Sequence, residues 1–153
     1  MISQKTRYAL RALLYLVELG KGSPVQLATI AETQQVPRKY LELIMLDLKR
    51  AGIVTSVRGP AGGYRLARSP EEISFGEVIR VLDGPIALVP CASVNFYSKC
   101  GDCHDEETCA IRRVLTIVRD ESARILENTS LADAAGQEAQ AATKRGTRAT
   151  NRA

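Results

Sequence analysis

Six residues, Arg58-Gly59-Pro60-Ala61-Gly62-Gly63, restrict the fold more than any others in this 153-residue chain. A helix cannot run through them, because proline lacks the amide hydrogen a helical ladder needs and glycine leaves the backbone too free. Short β-type runs lie on both sides, at 53–57 and 64–67. A glycine-rich stretch between two such runs predicts an antiparallel hairpin with an open tip. Whatever the chain builds before residue 53 must accept a two-stranded hairpin directly behind it.

What comes before is helical. Residues 3–19 put Ala9, Ala12, Leu13, Leu16 and Val17 on one helical face, and Gly20 supplies the stop. Ser23-Pro24-Val25-Gln26 reads as the next helix start, with a serine cap, proline at the first helical position and glutamine three residues after the cap. That helix ends near Thr33. After Gln34-Gln35-Val36, Pro37 opens a third helix to about Ala51, with Tyr40, Leu41, Ile44, Met45 and Leu48 toward the core and Gly52 closing it. Two short-linked helices behind a longer one predict a helix-turn-helix, and a hairpin directly after its second helix is a wing. Ser74-Phe75-Gly76-Glu77 is a further capping box, starting a helix through Val78, Ile79 and Leu82 that Gly84 ends.

Residues 110–127 form the last strong pattern, with Ile111, Val114, Leu115, Val118, Ile125 and Leu126 giving one apolar face. Such a helix, arriving after the core is complete, needs a surface to cover. The first helix of the same chain is one choice; a second subunit is preferred, because pseudo-palindromic DNA favours two-fold readers. The expected fold is mainly α with a small β-hairpin wing. Residues 1–84 form a winged helix-turn-helix, 85–109 a cysteine-rich loop, 110–135 a dimerisation helix and short terminal helix, and 136–153 a disordered basic tail.

Charge follows the same division. Residues 1–83 carry 12 Lys and Arg against 8 Asp and Glu, whereas residues 84–153 carry 9 of each. The net +4 thus belongs to the N-terminal part, as it should if that part meets phosphate. At the start of the third helix Arg38, Lys39 and Tyr40, followed by Glu42, are the candidates for a double-stranded DNA operator. Recognition helices work through their first residues; the two cations suit phosphate or guanine edges and Glu42 suits cytosine. Arg58 and Gly59 at the hairpin tip suit the minor groove, and Arg65 with Arg68 the DNA backbone.

All four cysteines fall within nineteen residues, as Cys91, Cys100, Cys103 and Cys109. No apolar run approaches the roughly eighteen residues that would cross a bilayer, and MISQKTRYAL lacks the layout of a secretory signal. No membrane association and a cytoplasmic location are therefore expected, where clustered thiols more often bind metal or do chemistry than form staples. An iron–sulfur cluster, a zinc ion, a thiol–disulfide switch centred on Cys100 and Cys103, and cysteines with no special role all remain open. Structural zinc sites favour two close pairs, and only Cys100-x2-Cys103 is one. With one histidine, no phosphate loop and no nucleophile–base set, the chain is not expected to be an enzyme; an iron–sulfur electron carrier is the reading from another class.

Val57-Arg58-Gly59-Pro60-Ala61-Gly62-Gly63-Tyr64 with Leu66 resembles the wing of the IscR/NsrR-like family of winged-helix iron–sulfur regulators. Thr6-Arg7-Tyr8-Ala9-Leu10-Arg11 is similar to that family's first helix, Tyr40-Leu41-Glu42 to its recognition helix, and Ile73-Ser74 with Glu77-Val78-Ile79 to the helix after the wing. The resemblance covers about residues 1–130. It implies a dimeric regulator whose loop holds an iron–sulfur cluster, the two-iron form ahead of the four-iron form, that controls operator binding. Cys109 matches the last of the family's three cysteines, but Arg112 stands where a histidine ligand would be and Arg7 where some relatives place an acid. The resemblance then implies all four cysteines as ligands, with His104 a solvated loop residue.

Overall fold

A computed structural model of the chain describes residues 2–20, 23–103, 105–137 and 140. In order it contains α1 (Gln4–Glu18), α2 (Leu27–Thr33), α3 (Arg38–Arg50), β1 (Val54–Val57), β2 (Gly63–Leu66), a 3₁₀ turn (Pro70–Glu72), α4 (Phe75–Asp83), a second 3₁₀ turn (Pro90–Ala92) and α5 (Ala110–Glu127). A terminal helix, α6, covers 131–137. Among the described residues no helix is long and apolar enough to cross a membrane.

The core forms where α1, α3 and the wing meet. Ala9, Ala12, Leu13 and Leu16 of α1 face Leu41, Ile44, Met45 and Leu48 of α3, joined by Ile30, Ile53, Val54, Ile73, Val78 and Leu131. Each buried Leu, Ile or Val contributes about 1.5–3 kcal/mol relative to an exposed position, so this cluster carries most of the stability. Ser3 caps α1 by accepting from the Thr6 amide, while its own N–H donates to Asp83 at the end of α4 (2.8 Å). Although burial opposes it, hydrogen bonds from Ser3 hold the Asp83 carboxyl below the usual carboxylate range.

The hairpin pairs Val54 with Leu66, Thr55 with Arg65, Ser56 with Tyr64 and Val57 with Gly63. It also recruits a third strand residue, and this corrects the expected start of α2. Val25 is extended and exchanges two backbone hydrogen bonds with Tyr64 (2.9 and 2.8 Å), so the chain turns helical only after Gln26. Ser23 therefore does not cap the helix. Two long-range hydrogen bonds outweigh a local capping preference worth about 1 kcal/mol. Gly63 permits the approach: a Cβ there would lie 2.2 Å from the Val25 carbonyl oxygen.

Ser74 caps α4 as expected, accepting from the Glu77 amide (3.1 Å). The α4–α5 crossing is close because Gly76 lies against Glu127, and Arg80 pairs with that glutamate. The chain then returns to the core. Phe75 N–H donates to Thr129 O, Leu131 N–H to Ile73 O, and Ser130 with Asp133 forms a reciprocal capping box for α6. Helix continues through residue 137, past the boundary expected for the tail. The rest of that tail, 138–139 and 141–153, lies outside the described residues, as does His104.

The expected single apolar face of α5 is divided. Leu115 and Leu126 are half-buried on the chain's own side, whereas Ile111, Val114, Ile117, Val118 and Ile125 are 40–69% exposed. α5 packs against α4 and the Pro90–Ala92 turn, which is too narrow a surface to cover both sides.

Candidate nucleic-acid interface and cysteine loop

Arg38, Lys39 and Glu42 are exposed on the first turns of α3, with Arg38 and Glu42 3.7 Å apart as an i,i+4 ion pair. Tyr40 is half-buried and meets Tyr8 edge-on, ring centroids 6.0 Å apart, so its ring seats the start of α3 on α1. At the wing tip Arg58 and Gly59 are exposed; Gly59 has φ 109°, and its carbonyl accepts from Gly62 N–H (2.9 Å). Gln26, expected only as part of a helix cap, instead donates through Nε2 to Pro60 O (3.1 Å) and fixes the tip against the start of α2. Arg65 is exposed on β2. Arg68 is otherwise engaged: it donates to the carbonyls of Gly52 and Glu72 and pairs with Glu77 at 2.5 Å. It therefore ties the wing to α4 instead of standing ready for a phosphate.

The four thiols come together as two pairs. Cys91 is buried in the Pro90–Ala92 turn, and the Cys100 thiol donates to its Sγ at 3.5 Å. Cys103 lies near Cys109, which is the N-cap of α5 and accepts from the Arg112 amide at 3.5 Å. The hydrogen bond to Cys91, followed by desolvation, pushes the Cys100 thiol above its usual value. Burial, and then the neighbouring Cys109, do the same to Cys103. None of the four is in a disulfide.

Side chains from α5 and the loop hold this arrangement. Arg112, at the position where a histidine might have been sought, donates through Nε to Cys91 O (3.0 Å), and Arg119 donates to Ala92 O (2.5 Å). Tyr97 bridges the segments carrying the two pairs by donating to Glu106 (2.6 Å), which raises the phenol's pKa. Asp105 accepts from Thr108 Oγ1 (2.7 Å) and Glu107 N–H, and these bonds keep its carboxyl low. No spacing rule marks Arg112 or Arg119 as loop holders. Their seven-residue separation on one edge of α5, nearly two helical turns, becomes meaningful only once the Pro90–Ala92 turn is seen beside it.

The donor set can be compared with the metal groups weighed above. One zinc ion with bonds of about 2.3 Å needs four sulfurs mutually about 3.8 Å apart. Among the described residues no three or more His, Cys, Asp or Glu side chains are gathered closely enough to hold a metal ion of any kind. A two-iron cluster asks instead for one thiolate pair per iron. The Cys91–Cys100 contact at 3.5 Å is one such pair, and Cys103 and Cys109 are the thiols left for a second.

A helix-turn-helix followed by a hairpin wing, with exposed cations on both, defines a winged-helix DNA-binding transcriptional regulator. The chain belongs to the Rrf2 family, described as iron-dependent transcriptional regulators, whose profile matches residues 2–137. It is 46% identical over 121 residues to an rrf2-like HTH-type transcriptional regulator of Rhodobacter capsulatus, covering 77% of this chain and 81% of that protein. Among solved structures it resembles CymR, the global cysteine regulator of B. subtilis, with a TM-score of 0.75 and 35% identity over 90% of this chain and 97% of the other. It also resembles T. potens IscR, with a TM-score of 0.73 and 31% identity over 92% and 90%. The chain is a transcriptional regulator and not an enzyme.

Proposed function

We propose that this regulator is a homodimer whose operator affinity is set by an iron–sulfur cluster held by Cys91, Cys100, Cys103 and Cys109. The gathering of the four thiols in one loop, with Cys91 against Cys100 and their turn tied to α5 by Arg112 and Arg119, is the observation that carries this reading. Four thiolates would hold the cluster, and the α5 N-terminus offers positive potential to their negative charge. The family's iron-dependent description agrees with it. The second subunit is argued from α5: Ile111, Val114, Val118 and Ile125 are spaced three, four and seven residues apart, as on a helix–helix seam with Glu121 in the gap, and all are exposed. From the cysteine turn a contiguous set of contacts runs through α5, the Gly76–Glu127 crossing, α4 and the Asp83–Ser3 bonds to α1, on which α3 packs. Arg38, Lys39, Glu42, Arg58, Gly59 and Arg65 meet the operator, and Tyr40 positions them. Regulation requires that the two cysteine states bind DNA unequally, since equal affinity shifts nothing.

The deciding experiment is anaerobic purification followed by visible absorption, iron and sulfide analysis and operator-shift assay. The expected result is a coloured protein with two iron and two sulfide per chain, and loss of both colour and regulated binding in Cys100→Ser. Colourless protein carrying zinc overturns the cluster. A second reading rests on the 3.5 Å Cys91–Cys100 contact, which makes those thiols ready to lose two protons and two electrons to an oxidant and form a disulfide. Metal-free protein that forms this disulfide and changes its DNA affinity favours the thiol switch, a reading in keeping with the likeness to a cysteine regulator.

A further inference from the structure

The outward face of α3 contains an apolar element that its role in binding phosphate does not explain. Leu41, Ile44, Met45 and Leu48 fill the core, so the opposite side of the helix is the stripe Lys39, Leu43, Leu46 and Arg50. Leu43 is 58% and Leu46 41% exposed. A lone exposed leucine is ordinary on any protein surface. Two on the outermost stripe of a recognition helix, with Glu42 beside them, are a different case, because nothing among the described residues covers them and this stripe penetrates a groove most deeply.

We propose that Leu43 is a specificity-determining residue that reads the C5-methyl group of a thymine in the major groove. The proposal rests on α3 being the recognition helix, as argued above. The charge around the stripe selects the occupant. Lys39 is exposed at one end, and Arg50, although 3.5 Å from Asp47, is 71% exposed at the other. Two cations about 16 Å apart along the helix suit a surface edged by phosphates better than an apolar groove on another protein. Within the major groove the thymine methyl is the apolar feature on the base edges, and aliphatic side chains pair with it. Leu43 is preferred to Leu46 because recognition helices reach base edges through their N-terminal residues.

The test uses the full chain and begins by selecting binding sites from a random duplex library. In the enriched sequence each thymidine is then replaced singly by deoxyuridine, which removes only the methyl group, and Kd is measured for the wild type and Leu43→Ala. At one position per half-site, deoxyuridine should weaken the wild type about fourfold, the loss expected for one buried methyl-sized group. Leu43→Ala should show about the same loss on the thymidine duplex and no further loss on the deoxyuridine duplex. Alanine is the best helix former, so this exposed substitution should leave Tm unchanged. Deoxyuridine tolerated at every position, or a penalty of equal size in Leu43→Ala, overturns the proposal and leaves the stripe to a protein partner. If the library enriches no sequence at all, α3 as the recognition helix fails, and the proposal fails with it.

Discussion

The chain up to Asp83 and the chain from residue 85 to 127 are stabilised by different means. α1 and α3 each bury four or more side chains, and their apolar residues close over one another. α5 is the longest helix among the described residues, at 18 residues, and buries none. The segment before it is held by directional contacts: Arg112 and Arg119 on carbonyl oxygens, Tyr97 on Glu106, and Cys100 on Cys91. Burial is worth much and has no preferred angle; a hydrogen bond is worth little net and depends on geometry. The first region therefore rests mainly on burial and the second mainly on directional contacts.

The largest expected effect tests that contrast directly. Leu41→Ala should destabilise the protein by about 2–5 kcal/mol in chemical denaturation, because it opens a cavity in a core that cannot collapse. Ile117→Ala, an equal kind of truncation at a 60% exposed site, should stay within about 0.5 kcal/mol in dilute protein. It should instead weaken self-association, read by sedimentation. Equal losses in the two variants break the comparison.

An intermediate effect concerns the loop. Arg112→Met keeps the bulk of the side chain and removes its hydrogen bond to Cys91 O. Such a bond contributes about 0.5–1.5 kcal/mol, so in chelator-treated protein the buried Cys91 thiol should be alkylated roughly two- to tenfold faster. The global denaturation midpoint should hardly move. If the midpoint falls and alkylation does not change, Arg112 belongs to the core and the loop is not separately held.

The same contrast sets what the sequence could reveal. The wing, α1, α3 and the Ser74 cap were legible because each rests on neighbours in the chain: a glycine-rich tip, a 3.6-residue apolar period, a serine three residues before a glutamate. The start of α2 was not, because Val25 answers to Tyr64 thirty-nine residues later. Arg68 looked like a phosphate ligand until Gly52, Glu72 and Glu77 were seen around it. In the cysteine loop the clustering of four cysteines was evident from composition, whereas the Cys91–Cys100 contact and the two arginines that hold the turn depend on how α5 lies against the Pro90–Ala92 turn. The burial of Leu131 was missed for the same reason, since it follows from a return of the chain to Ile73.

The smallest expected effect sharpens the comparison from inside the first region. Lys5 of α1 and Asp47 of α3 form an ion pair at 2.7 Å, both side chains about a third exposed. The hydrogen bond from Lys5 lowers the Asp47 pKa; burial opposes this, and the Lys5 and Arg50 charges add to it. A carboxyl whose folded value lies below its unfolded one stabilises the fold above the unfolded value, about 3.9, and loses that contribution as pH falls through the folded value. Lys5→Met should therefore cost no more than about 1 kcal/mol at pH 7, because solvent screens the pair. The gap between wild type and variant should hold from pH 5 to 8, narrow below pH 4, and shrink in about 1 M salt. A gap larger than about 2 kcal/mol, or one that widens in acid, would mean that α1 and α3 are held together by charge, and the contrast between a region built by burial and a region built by directional bonds would no longer stand.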